Sequence, residues 1–275
     1  MSLSDFFQSS ETTAPTHSWT LVRHDPATLP VDTLARDLAD RIIQHRCRGC
    51  PHHYQAWRQH VDGGPSPSGA SKDALEAFIK PVFGLPGNPD AVPQDHLEGF
   101  VAQYLWYFLT RETPTEDTVV RVEPPGFEAI DHGGDGLVIH RVPIGYLMFR
   151  LWEIKKCVGA SVVSSTVSTA YSQLDAKAKE YLARYTAIGQ ELQDEPELAD
   201  FYGQLIDLWV DAQPGAAVGV SVATSSDHIP QECFTTFGQR FPKFVDPVRL
   251  RGMLTAIGDF SDFACRVRDS VWIGL

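Results

Sequence analysis

No stretch of this sequence approaches the ~18 consecutive apolar residues of a membrane-crossing helix. Its first residues carry no basic region followed by an apolar core, so neither membrane insertion nor secretion is expected. Positive charge is also short. Lys and Arg number 23 against 35 Asp and Glu, a net charge of −12, which argues against a surface built throughout for nucleic acid. Cysteine is sparse and odd in number: Cys47, Cys50, Cys157, Cys233 and Cys265 are scattered along the chain. Reduced thiols in a cytoplasm are expected, not a disulfide framework. No internal repeat, P-loop or nucleophile elbow occurs, and the glycines around Ala216 to Thr224 lack the helix and downstream acid of a dinucleotide fingerprint.

What is present is enough to fold. With 275 residues, 43% hydrophobic and 21% charged, the chain can bury a substantial core as one large domain or two small ones. Residues 1 to 17 are Ser/Thr-rich and read as a loose polar tail. Trp19 to Val22 reads as a short strand, and Pro30 to His45, with Leu34, Leu38 and Ile42 at helical spacing, as an amphipathic helix. Directly after it, Cys47-Arg48-Gly49-Cys50-Pro51-His52-His53 sets a CxxC beside two histidines, a group able to hold zinc. A second ligand pair at zinc-finger spacing is missing, and the competing reading is a helix end followed by a His-rich loop.

Gly63 to Ser71 reads as an exposed loop, Asp73 to Ile79 as a short helix, and residues 81 to 93 as a segment broken by Pro and Gly. This divides the chain into a partly loop-rich, mostly helical N-terminal elaboration, 1–93, and a core, 94–275. Asp95 to Leu109 is a strong helix with Leu97, Val101, Tyr104, Leu105 and Phe108 in one stripe, and Asp95 with Glu98 fits a capping box. Thr118 to Val122 reads as a strand. A helix with Ala170, Leu174, Ala178, Tyr181, Leu182 and Tyr185 on its apolar face comes later, then one opening at Pro196 through Leu198, Phe201, Leu205 and Leu208. Ala216 to Thr224 reads as a core strand, and Pro247 to about Asp269 as a long closing helix with Leu250, Leu254, Ile257, Phe260, Ala264 and Val267 facing inward. Strands flanked by helices on a mixed sheet make an α/β fold.

The richest chemistry lies between Gly133 and Lys156. Two apolar runs, Gly136 to Ile139 and Tyr146 to Ile154, flank Arg141-Val142-Pro143-Ile144-Gly145, a turn-forming segment, and so predict a β-hairpin. Centred on Ile144, it sets Asp135 opposite Glu153, Leu137 opposite Leu151 and Ile139 opposite Phe149, with facing Cα atoms ~4.5 to 5.5 Å apart. Strand alternation puts Lys155 on the face of Glu153 and turns Trp152 and Ile154 away. Two carboxylates and a lysine thus converge at one end of an apolar face, where the carboxylates can share a divalent cation. The competing reading is an exposed cross-strand edge of ordinary surface charges.

An Asp after Gly-Gly, then a hairpin, then Glu153-Ile154-Lys155 resembles the D…ExK core of the PD-(D/E)XK nuclease superfamily. The resemblance covers about half the chain and implies a restriction-endonuclease-like αβββαβ core with one helix inserted. It implies Asp135, Glu153 and the backbone carbonyl of Ile154 as ligands for Mg²⁺ or Mn²⁺, a hard oxygen set suited to these ions, and Lys155 as the group that handles the attacking water. Glu98, on the helix before the hairpin, and Gln173, on the helix after it, are further site candidates by the same resemblance. Glu98 is equally placed to be a capping partner, and Gln173, with Lys177 one turn on, to be solvated helix surface. At closer range the Leu-Trp-Tyr helix end, the Gly-Gly-Asp-Gly-Leu turn and Leu-Trp-Glu-Ile-Lys-Lys are similar to nuclease subunits of bacterial anti-phage systems, in particular the HamA subunit of Hachiman. That subunit acts with a helicase.

The expectation is a metal-dependent nuclease of DNA, more than RNA, working with a helicase partner in anti-phage defence and without a membrane. Arg141, Arg150, Lys155, Lys156, Lys177 and Lys179 are local cations for the substrate. Two rivals remain: a catalytically inactive nuclease-fold interaction protein, and a stand-alone restriction or repair nuclease.

Overall fold

The computed structural model describes residues 2–112, 118–126, 135–143, 145–189, 191–192 and 194–275. Its strands form one mixed sheet of seven, in the order β1 (Phe7–Thr13), β2 (Ser18–His24), β7 (Leu250–Ile257), β6 (Ala216–Ser225), β5 (Leu147–Cys157), β4 (Gly136–Arg141) and β3 (Thr118–Val122). The central β2, β7, β6 and β5 are parallel, while β1 joins β2, and β4 joins β5 and β3, in antiparallel pairs. Parallel strands need helical crossovers, and these cover both faces. On one face lie α1 (Val31–Arg46), α2 (Pro51–Val61), α3 (Ala70–Phe83), α4 (Gln94–Glu112) and α8 (Phe260–Trp272); on the other lie α5 (Val163–Gly189), α6 (Pro196–Val210) and the short α7 (Phe237–Arg240).

The periodicities of α1, α5 and α6 are realised: Leu34, Leu38 and Ile42, then Ala170 to Tyr185, then Leu198 to Leu208 are buried as their spacing predicts. α4 goes further. Its stripe is buried, and so are Phe100, Trp106, Tyr107 and Leu109 around it, because the helix is wedged between the sheet and α3 and α8, with His45 and Arg46 of α1 packed on Tyr104 and Phe100. Each large apolar side chain removed from water contributes ~1.5–3 kcal/mol, so burial on nearly every side fixes α4 far more firmly than helix propensity can. Its first turn opens on Pro93, whose carbonyl accepts from the His96 and Leu97 amides. Asp95 is therefore inside the helix and is not its cap.

Three expectations are corrected. The N-terminal tail is a 3₁₀ turn, Leu3–Phe6, followed by edge strand β1. Leu3 and Phe6 are buried, and the Glu112 side chain accepts from Ser2 Oγ at 2.6 Å. The strand itself is polar because the side chains of Gln8 to Thr13 are exposed, so nothing apolar marked it. The stretch after Cys50 is no loop: Pro51 opens α2 as a first-turn proline.

The closing helix is β7 followed by α8. Leu250 and Leu254 are four apart, an even spacing that shares one face of a strand as well as one face of a helix. Gly252 weakens the helical alternative, and β7 pairs with β2 and β6 on its two edges. Asp259 then caps α8, accepting from the Asp262 amide at 3.0 Å.

Candidate active site

The β4–β5 hairpin has the expected register, with Leu137 paired to Leu151 and Ile139 to Phe149. Gly145 closes its turn at φ +97°, where a residue without Cβ is favoured. Gly133, Gly134 and Ile144 lie outside the described residues. Gly136 pairs with Trp152, so Asp135, one residue before β4, stands across from Glu153. Trp152 and Ile154 pack into the core beneath α4, while Leu137, Ile139, Phe149 and Leu151 belong to the core under α5 and α6.

At the end of that second face Asp135, Glu153 and Lys155 meet. Lys155 Nζ lies 2.6 Å from Glu153 Oε1 and 3.9 Å from Asp135 Oδ2. Asp135 is held from two sides: the Ile154 amide donates to Oδ2 at 2.8 Å, and Gln103 Nε2 of α4 donates to Oδ1 at 3.3 Å. An extended residue turns its N–H and C=O to the same side of the strand, so the Ile154 carbonyl also faces the Asp135 side.

Glu153 is the unusual member. Its side chain is 0% exposed, and its nearest charged partner is the Lys155 ammonium, 2.6 Å from Oε1. Burial, and next the charge of Asp135, push the Glu153 carboxyl up to about 8, with Lys155 pulling the other way. Asp135 is also raised, by burial, against the opposing pull of Lys155 and the Ile154 amide. Burial disfavours the Lys155 ammonium, but Glu153 and Asp135 together outweigh it and raise its pKa. The lysine thus keeps its proton at neutral pH and acts as a charged hydrogen-bond donor.

Gln173 comes near this group through an intermediary. Its Nε2 donates to the Tyr181 hydroxyl at 2.9 Å, and Tyr181 is close enough to Glu153, Asp135 and Lys155 to feel their charges. Glu98 is not brought there. Its buried carboxylate pairs with Lys156, which shares the opposite sheet face with Trp152 and Ile154, and Lys156 also pairs with Asp95 at 2.6 Å. Of the other expected cations, Arg141 is engaged bidentately by Glu197, and Arg150 is buried against His140 and the Val248 carbonyl. Lys177 and Lys179 are exposed on α5.

Three residues near the centre carried no sequence signal for it: Gln103, Tyr181 and Tyr185. Tyr181 and Tyr185 read as part of an apolar helix face. Glu123, buried and bound by Arg121 and the Tyr202 hydroxyl, follows the strand β3, and its amide donates to the Leu137 carbonyl at 2.8 Å.

No protein-family model matches this chain, and no curated protein matches its sequence significantly. What the site can do therefore rests on its geometry.

The buried Glu153 oxygens, with Asp135 beside them and a carbonyl on the same side, suit a hard divalent cation. The set is two carboxylates and a backbone oxygen; among the described residues no group of three or more His, Cys, Asp and Glu side chains is gathered for a metal. That holds for the CxxC segment too. Cys47 is fully buried at the end of α1, its thiol pushed up to about 11 by burial first and Cys50 next. Cys50 precedes α2, His53 Nδ1 is 3.3 Å from Ser71 Oγ, and His52 packs on His53. Cys47, Cys50, His52 and His53 are not gathered into a metal-holding group among the described residues; the cysteines end one helix and start the next.

Proposed function

We propose that this chain is a divalent-metal-dependent nuclease that hydrolyses phosphodiester bonds of DNA. The observation that carries the reading is Glu153: it is wholly removed from water beside a second acid, burial and the Asp135 charge push its carboxyl up to about 8, and a cation shared with Asp135 would hold both acids in the charged form. The succession α4, β3, β4, β5, α5, α6, β6 is compatible with a restriction-endonuclease-like core with α6 inserted.

Asp135, Glu153 and the Ile154 carbonyl would hold Mg²⁺ or Mn²⁺. Such an ion, when bound, supplies charge neutralisation at the phosphate and acidifies water. Gln103 and the Ile154 amide fix the Asp135 carboxylate so that its orientation need not be found anew with each substrate. Lys155, kept protonated by its two acidic neighbours, orients a water by hydrogen bonding and stabilises negative charge building on the phosphoryl oxygens. The water oxygen forms the new P–O bond as the bridging P–O bond breaks, leaving one phosphate monoester and one hydroxyl end.

The net charge of −12 and the likeness of the hairpin segment to HamA support action beside a helicase partner in anti-phage defence, the partner supplying much of the hold on DNA. The test is nicking and linearisation of supercoiled plasmid with Mg²⁺, Mn²⁺ or chelator. Metal-dependent cutting by the wild type and none by Glu153→Ala or Lys155→Ala is expected. Absence of cutting by all three, together with no metal uptake by calorimetry, overturns the reading.

A further inference from the structure

A cleft of about 690 Å³ lies between the C-terminal halves of α1 and α4 and the outer strand β3. That size suits a small-molecule ligand. Its two walls differ. The helical wall presents Arg41, His45, Arg48 and Arg111, and the strand adds Arg121; opposite them Val119, Val120, Val122 and Pro124 form an apolar side. Among the described residues no carboxylate lines it, in a chain where acids outnumber bases by 35 to 23.

Two of the arginines are neutralised at their own carboxylates, Arg41 by Asp37 and Glu112 and Arg121 by Glu123. Arg48 and Arg111 are not. Both are exposed and neither has a carboxylate partner among the described residues; Arg111 donates to the Tyr107 hydroxyl at 3.1 Å and lies over its ring. Between them His45 is set edge-on against Tyr104, Tyr107 and Phe108. Burial first, then Arg48, Arg111 and Arg46, press its pKa down to about 4.

We propose that this cleft binds a nucleotide, its phosphate held by Arg48 and Arg111 and its sugar and base laid against the apolar wall of β3. Guanidinium groups match phosphate oxygens in fork geometry, and an uncharged wall beside them takes the rest of the molecule. The site is distinct from the carboxylate and lysine centre and does not depend on its chemistry. The two are neighbours on one helix: Gln103, which touches Asp135, and Arg111 are eight residues apart, ~12 Å along α4. The same recognition serves a free nucleotide or one unit of a nucleic-acid strand.

Titration of the full chain in chelator, so that no cutting occurs, decides the matter with three probes: ADP, inorganic pyrophosphate and a fluorescent 12-mer of deoxythymidylate. Saturable binding of ADP or of the 12-mer is expected, weakened about tenfold or more in Arg48→Ala/Arg111→Ala, as loss of charge-assisted hydrogen bonds implies. Glu153→Ala should bind as the wild type does. Both arginines are exposed, so the double variant is expected to fold, with circular dichroism as the check. Binding of ADP identifies a free nucleotide as ligand; binding of the 12-mer without ADP identifies a strand. Failure of both to bind, affinity indifferent to the double substitution, or pyrophosphate binding as tightly as ADP would each overturn the assignment. Loss of plasmid cutting with cleft binding intact would count against the nuclease reading alone.

Discussion

The backbone amide of Ile154 donates to Asp135 Oδ2 at 2.8 Å, so the carboxylate that enters the hairpin is tied to the strand that carries Glu153 and Lys155. The acid therefore has two separable roles, one structural and one electrostatic. Asp135→Asn retains an acceptor for the amide and loses the charge, whereas Asp135→Ala loses both. The Asn variant is expected to unfold in urea close to the wild type and, under the proposed function, to lose Mn²⁺ binding. The Ala variant should lose Mn²⁺ binding and ~1–3 kcal/mol of stability, the cost of a buried donor left unpaired. Equal stability of the two variants would remove the structural role.

Lys155 is the cation nearest Glu153, at 2.6 Å. Removing one partner of a fully buried pair costs ~3–5 kcal/mol. A quarter of the Lys155 side chain reaches solvent, so Lys155→Met should cost about half of that. Lys155→Met/Glu153→Gln should recover part of the loss, because Asp135 is then the one buried acid of the group left without its cation. Under the proposed function Lys155→Ala keeps metal binding and loses turnover, which calorimetry and the plasmid assay read separately.

Gly136 sits under Trp106 so closely that an added Cβ would come within 2.2 Å of its ring. The ring is buried and rigid, and the position adjoins Asp135. Gly136→Ala is expected to cost ~1–3 kcal/mol by overpacking and, under the proposed function, to lower metal affinity by displacing the hairpin from α4. Pairing it with Trp106→Leu should restore part of the stability. A melting temperature unchanged in the single variant would contradict the packing argument.

His140 is buried beside Arg150, whose Nη1 faces its Nε2 at 3.1 Å. Burial, and then Arg150 and Arg251, press its pKa from 6.5 down to about 2. Between those values the unfolded chain binds a proton that the folded chain refuses, so stability falls as pH drops below about 6.5. One such proton adds a slope of up to ~1.4 kcal/mol per pH unit. His140→Gln keeps an acceptor for Arg150 and does not titrate. Its urea unfolding between pH 6.5 and 4.5 should be less acid-sensitive than that of the wild type, and an identical slope would refute the assignment.

How much of this was legible is uneven, and the reasons are physical. The hairpin register was readable because a strand alternates every two residues: once the turn is placed, Leu137, Leu151, Glu153 and Lys155 have no freedom in facing. The helices α1, α5 and α6 were readable because one face of each is wet. The edge strand β1 was not, since a strand that pairs on one side and leaves its side chains in water has no apolar pattern to show. The strand β7 was not, since a four-residue spacing satisfies both periods until neighbours β2 and β6 choose between them.

The sequence by itself determined the local geometry: which residues oppose each other across the hairpin, which helix faces turn inward, and that two acids and a lysine meet at one strand end. Those are properties of backbone periodicity over a few residues. Tertiary structure alone decided what else reaches that point. Gln103 and Tyr181 come from helices packed on opposite faces of the sheet, and Glu98, on the same helix as Gln103, is turned instead to Lys156. Such partners depend on how layers stack over tens of residues, and the burial that strips Glu153 of water exists only once both layers have closed over it.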